Sequence, residues 1–338
     1  MSDKRIKTTL RREDSRNLSG HLLNEGKIEI LKEKDYYVKE WPLDGDAPKQ
    51  FIKAYVFEKD SGIRRKNPNT WWPFIAKSAE KWYPHESVIE HMINRIGQEM
   101  GMIMNDVKLV KANGQVRFLS RYFLKSDETL NHGAEICGQH LGDMEMADDI
   151  AQDKNTARYL FTFEFIKESI EAVYPLNHES ILKSLVSMIA FDGLVGNNDR
   201  HFYNWGVIDT KKKNQKPPRF APLYDSARGL LWNLSDENIV HYYNVHNQNG
   251  KKIDKYIENA CPRISLENNK KANHFDLIKF VKESNESYAE IISRLASREK
   301  EKKVLEMLGS EFYRHFIPER CELIELILKI RFERVRNI

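Results

Sequence analysis

Residues 193–209, GLVGNNDRHFYNWGVID, set Asp199, Arg200, His201 and Asn204 between two apolar runs. Loops carry Asn and Asp because these side chains bond nearby backbone and tolerate left-handed turns, so crowding alone says little. The spacing says more. An Asp followed five positions later by an Asn on one turn-rich loop can present a proton acceptor and a metal ligand to the same phosphate. A second Asp is needed on the turn after the next hairpin, and Asp225 in APLYDSARGL stands there. Two Asp and one Asn form a hard-oxygen set that suits Mg²⁺, an ion that keeps several waters and shares its other positions with phosphates. The chemistry open to such a set is phosphoryl transfer from ATP. Asp199 would be the base, with Arg200 and His201 beside it, and Asn204 and Asp225 would hold the metal.

That chemistry also needs a cation to grip the nucleotide phosphates, held in place by an acid on a following helix. WWPFIAKSAEKW reads as a strand ending near Lys77, and the helix ESVIEHMINRIGQEMG carries Glu86 and Glu90. Val88, Ile89, Met92, Ile93, Ile96 and Met100 recur at helical spacing, and Gly101 stands where a C-terminal cap belongs. Glu90 lies among these apolar positions and so faces inward, where an unpartnered acid would be costly. Lys77 is its natural partner. Glu86 reads as a surface residue at the helix start, where negative charge is favourable.

The elements that must position these groups divide the chain. Residues 1–25 are polar and weakly periodic and are expected to form an arm or a poorly packed helix. From KIEIL through DYYVKEW, QFIKAYVFEK, TWWPFIAKS and DVKLVKA to RFLSRYF, short β-type runs alternate with turn clusters, so residues 26–124 read as a sheet with one helix packed on it. Residues 125–338 read as helical, with NTARYLFTFEFIKESIEAV and HESILKSLVSMIAFDGLVG as long helices and NWGVID and RFAPLYD as a hairpin closed by TKKKNQKPP. The expected fold is α+β, a two-lobed kinase-like arrangement with a β-rich N-lobe and a helical C-lobe.

Bulk composition sets few limits. The 338 residues are 41% apolar and carry a net charge of +4 spread along the chain, which gives no reason to expect a nucleic-acid partner. Cys137, Cys261 and Cys321 are far apart and form no C-x-x-C, which points away from disulfides and zinc and towards a reducing cytoplasm. The opening MSDKRIKTTLRREDSR reads as too charged for a signal peptide, and no apolar run approaches the roughly 18 residues of a membrane span.

Two features depart from ordinary protein kinases: there is no G-x-G-x-x-G loop, and the catalytic order is Asp-Arg-His. With those departures, GNNDRHFYNWG followed by APLYDSARGL resembles the HipA-like kinases, whose loop has the order N-x-D-R-H-x-x-N and whose metal-binding Asp follows a Pro and an aromatic. FIAKSAEK, VIEHMINRIGQEMG and LSRYFLKSDETLNHG also look like N-lobe and hinge segments of the compact branch of that family, so the resemblance spans roughly residues 41–232. It implies Asp199 as catalytic base, Asn204 and Asp225 on Mg²⁺, and Lys77 on the ATP phosphates, with Arg121, Tyr122 and Phe123 at the hinge that meets adenine. The family's phosphate loop is missing, and DGDAPK is taken in its place with Lys49 near the phosphates. The separate N-terminal β subdomain of full-length HipA is expected to be absent. The resemblance further implies serine or threonine specificity, a protein substrate such as a component of translation, and a HipB-like antitoxin partner. A toxin or a bacterial effector follows, cytoplasmic or delivered into a host cell.

Blander readings stand beside these. NNDRHFYN alone is a capped turn, Arg200 a loop anchor, His201 a residue that orients its neighbours, and Lys77 a solvated strand end. Two other functions compete with the protein kinase. A lipid or small-molecule kinase shares the Asp-Arg-His order but would call for a basic amphipathic membrane segment, which the sequence lacks. A nucleotide-binding module that acts through partners fits the missing glycine loop, but has little use for the acidic residues.

Overall fold

The computed structural model describes residues 9–41, 49–59, 61–211 and 216–338. Residues 44–48 of the DGDAPK segment and residues 212–215 of the TKKKNQKPP loop lie outside the described residues. In chain order the N-terminal half supplies β1 (Asn17–Leu18), β2 (Glu29–Ile30), β3 (Tyr36–Lys39), β4 (Lys49–Ala54), β5 (Trp72–Ser78), β6 (Trp82–Tyr83), α1 (His85–Glu99), β7 (Val107–Ala112), β8 (Gln115–Arg121) and β9 (Glu128–His132). Helices α2 (Gly133–Leu141), α3 (Met144–Gln152), α4 (Lys154–Leu160), α5 (Phe163–Val173) and α6 (His178–Val195) follow. The hairpin β10 (Gly206–Thr210) and β11 (Arg219–Phe220) comes next. Then come α7 (Asp236–Asn249), α8 (Lys251–Asn259), α9 (His274–Ser284), α10 (Glu286–Leu295), α11 (Arg298–Glu311) and α12 (Pro318–Asn337).

Six strands form one sheet in the order β2-β7-β8-β5-β4-β3, antiparallel except for the β2–β7 pair. The period of two along each strand assigns a face to every side chain. Phe74, Ala76, Leu119, Val110, Ala112 and Ile52 form a buried cluster on one face, together with Leu10 and Leu31. On the other face Lys49, Lys77 and Phe118 are successive cross-strand partners, and α1 packs beside them through the core that holds Met92, Ile96 and Val116. Residues 9–24 form no α-helix but run extended along this lobe. Leu10 is buried, Ser19 N–H donates to the Tyr83 carbonyl at 2.7 Å, and Arg117 donates to the Arg11 carbonyl.

The helical lobe is built on α6, whose side chains from Ile181 to Val195 are nearly all buried because its sequence is apolar on every side. NTARYLFTFEFIKESIEAV, expected as one helix, is two: Thr162 caps α5 by accepting from Phe165 N–H, and the Phe163 N–H is drawn off to the Ser265 carbonyl at 3.0 Å. The chain ahead of α2, expected as hinge, contains β9, which pairs along its whole length with β10 and gives a small sheet β11-β10-β9 under the hairpin. No helix among the described residues is long and apolar enough to cross a membrane.

Candidate active site

Lys77 sits late in β5, and α1 begins seven residues after that strand ends, bringing Glu90 back over it in the helix's second turn. Lys77 Nζ lies 3.1 Å from Glu90 Oε1 and 2.9 Å from Asp225 Oδ1. One ammonium therefore serves two carboxylates. Burial works against charge on all three groups. For Lys77 the two carboxylates outweigh burial and hold the ammonium above its usual range. Burial also raises Asp225, but Lys77, with help from Lys49 and His201, brings its carboxyl below the ordinary value. Glu90 keeps the burial cost, and its carboxyl is pushed up to about 7 despite Lys77. Asp225 has φ +52°, a left-handed backbone in which a non-glycine residue is strained, as is common at functional sites.

Helix α6 ends at Gly196, φ +68°, and delivers the chain directly into the loop. Asn197 donates to Asp192 Oδ1 at 2.9 Å and its Oδ1 accepts from Asp199 N–H at 3.2 Å, so the loop starts in a fixed turn. Asn204 Nδ2 donates back to the Asp199 carbonyl at 3.0 Å, which closes the turn and ties the two residues together. Asp199 points its carboxylate at two guanidinium groups: Arg228 Nε stands 2.9 Å from Oδ2 and Arg263 Nη2 stands 2.6 Å from Oδ1.

Arg200, expected among the catalytic residues, lies beneath the site. Its side chain is buried and holds Asp192 through Nε and Nη2, the carbonyls of Asn204 and Tyr224 through Nη1, and Ser226 Oγ through Nη2. A planar fork with five donors can pin the catalytic loop to the segment around Asp225 in a way an ammonium cannot. His201 accepts from Tyr203 N–H through Nδ1 at 3.2 Å, and burial holds its ring below the usual imidazole range.

The hinge residues divide by face. Arg121 pairs across the ladder with Phe74, on the face opposite to Lys77, and its guanidinium stacks 3.5 Å from the Trp72 ring centroid while binding Asp106 at 2.8 Å. Strand alternation thus sets its side chain on the face away from Lys77. Tyr122, one residue on, packs edge-on to Phe51 at 5.7 Å and near Trp41, and Phe123 lies 5.6 Å from Tyr224. Lys49 is placed directly across the ladder from Lys77. Glu86, expected at the surface, accepts from the N–H groups of Lys81 and Trp82 and so closes the strand-to-helix turn.

Among the residues that sequence reading missed, Asp192 was findable, because a lone acid inside the apolar run SLVSMIAFDGLVG must be paired when buried. Arg263 carried no such signal. It comes from the loop between α8 and α9, which Arg158 anchors by donating to the carbonyls of Pro262 and Ala272.

The fold and this site define a two-lobed, protein-kinase-like protein. The chain belongs to the family of HipA-like C-terminal domains, whose model matches residues 42–307. Among solved structures it is similar to the proinflammatory kinase CtkA of Helicobacter pylori, with a TM-score of 0.63 at 15% identity over 79% of this chain and 90% of that one. The HipA of the Shewanella oneidensis MR-1 toxin–antitoxin system, solved with HipB and operator DNA, aligns over 88% of this chain and 70% of its own, at 14% identity and a TM-score of 0.49. A search of curated proteins finds no match.

Proposed function

We propose that the protein is a HipA-like serine/threonine protein kinase that transfers the γ-phosphoryl group of ATP to a protein hydroxyl. The observation that carries this reading is the convergence on Lys77 of Glu90 at 3.1 Å and Asp225 at 2.9 Å, next to a loop that fixes Asp199 and Asn204 together. A cation held between an acid on the following helix and an acid after the hairpin is what positioning of a nucleotide triphosphate requires.

In this mechanism Lys77 grips the nucleotide phosphates and Glu90 keeps it aimed. Asp225, with a side chain 42% exposed although Lys77 holds one of its oxygens, and Asn204 are hard-oxygen donors of the kind Mg²⁺ takes, and they would hold it. When bound, the ion neutralises phosphate charge. Asp199 accepts the proton of the attacking hydroxyl as its oxygen bonds to the γ-phosphorus. The bond from that phosphorus to the bridging oxygen breaks, and its electron pair leaves with ADP. Arg200 positions both acidic segments and touches neither substrate. The Ser or Thr acceptor, and a role as a toxin or effector, rest on family membership. The test is incubation with γ-labelled ATP and a generic basic protein, followed by acid hydrolysis. Phosphoserine or phosphothreonine is expected, and label found in lipid alone contradicts the reading.

A further inference from the structure

A phosphoryl-transfer site needs cations on the moving group as well as a base. From Asn197 to Asn204 the loop offers Arg200, whose donors are spent on Asp192, Asn204, Tyr224 and Ser226, and His201, whose Nδ1 is taken up as acceptor for Tyr203 N–H. The loop's own cations thus leave none for the substrate. Two others stand at the base instead: Arg228 and Arg263 reach the two oxygens of Asp199 from opposite elements, at 2.9 and 2.6 Å.

Both are held in place by the fold. The Arg228 carbonyl accepts from Asn198 N–H at 3.2 Å, and its guanidinium lies 5.2 Å from the Trp232 ring centroid. The Arg263 loop is anchored by Arg158, and by Phe163 N–H on the Ser265 carbonyl. Arg263 also keeps a donor in reserve, since its Nε is buried with no hydrogen-bond partner among the described residues. Lys154 adds to the positive surplus: after burial, the charges of Arg263 and Arg158 are what depress its ammonium. With a guanidinium N–H group on each of its oxygens, Asp199 has no carboxylate oxygen turned freely towards a substrate hydroxyl. The arginines must therefore exchange Asp199 for another anion before the base can work.

We propose that Arg228 and Arg263 form a clamp for the γ-phosphoryl group of the bound nucleotide, resting on Asp199 while the site is empty and releasing it when the triphosphate arrives. This inference rests on the kinase reading above. The clamp couples substrate to base: the same anion that is to be transferred frees the carboxylate that accepts the proton. Because ADP carries no γ-phosphate, the clamp discriminates between the two nucleotides.

The test is calorimetric titration of Mg·ATP, a non-hydrolysable triphosphate analogue and Mg·ADP into the intact protein and its Arg228→Met and Arg263→Met variants. The expected result is that the parent binds triphosphates about tenfold or more tighter than ADP, and that each variant keeps its ADP affinity and loses that preference. Retained ADP affinity also shows that the variants are folded. A triphosphate preference that persists in both variants overturns the clamp, as does an equal weakening of both nucleotides, which would mark the arginines as structural. Faster phosphoryl transfer in the variants overturns it as well, since the arginines would then only inhibit Asp199. A parent that binds no nucleotide defeats the kinase reading itself.

Discussion

The ammonium of Lys77 stands 2.9 Å from the carboxylate of Asp225, so a strand of the small lobe and the segment after β11 meet on one charge that Glu90 shares at 3.1 Å. Removing it leaves Glu90 buried without a counter-charge. Lys77→Met is expected to lower stability by about 3–5 kcal/mol in urea unfolding, the usual cost of breaking a buried pair, and to reduce transfer at least about 100-fold. Glu90→Gln, which leaves Lys77 its bond to Asp225, is expected to cost less of each.

Arg200 joins the catalytic loop to the segment around Asp225 through one guanidinium. Arg200→Lys keeps the charge but loses the fork, and is expected to destabilise by about 2–3 kcal/mol, as hydrogen bonds to buried charges do. Transfer should fall through kcat more than through the nucleotide KM, since the loop moves while Lys77 stays. Steady-state kinetics beside thermal unfolding separates the two effects.

Gly196 turns α6 into the loop at φ +68°, and a Cβ there would meet the Arg331 guanidinium at 2.9 Å. Gly196→Ala therefore combines a left-handed strain with a clash against a buried side chain, and about 1–3 kcal/mol of stability should be lost. Since Asp199 follows three residues later, activity is expected to fall even at temperatures where the variant is folded. Circular dichroism and label transfer on one sample check both.

His85 is fully buried, donates through Nδ1 to the Ser19 carbonyl at 3.1 Å, and faces Arg320, His21 and, at 3.8 Å from Nε2, Asp236. Burial, with Arg320 adding to it, lowers its imidazole to about 3. A folded value below the unfolded one, about 6.5, means that its stabilising contribution is present in full above pH 6.5 and is lost as pH falls towards 3. Replacing it with Asn should therefore reduce the loss of stability between pH 7 and pH 5 by about 2 kcal/mol. Glu90, raised to about 7, titrates in the opposite sense but is common to both proteins and cancels in the comparison. Urea midpoints at the two pH values give the answer.

Much of the fold was legible because alternation and helical spacing are local. The runs around Phe51, Ile75, Leu109 and Phe118 became strands of the large sheet, and Val88 to Met100 became the helix behind Lys77. The spacing of Asp199 and Asn204 was legible because one turn holds both, and the place of Asp225 because the two short β runs ahead of it read as a hairpin. The face that Arg121 takes was not legible from its position in the chain; its partner Phe74 puts its side chain on the side away from Lys77. The break at Thr162 was hidden inside an unbroken amphipathic pattern, since its cause is a distant residue, Ser265. The same holds for Arg263, which reaches Asp199 only through tertiary packing of the loop after α8.

The measurement that tests the central claim most directly is transfer of labelled γ-phosphate from Mg·ATP by the purified protein, with Asp199→Asn and Asp225→Asn run beside it. Label is expected on the protein or on an added protein acceptor with the parent, and is expected to be lost in both variants while each still unfolds cooperatively. Label that persists undiminished in Asp199→Asn, or a parent that binds Mg·ATP neither in the presence nor in the absence of acceptor, would contradict it.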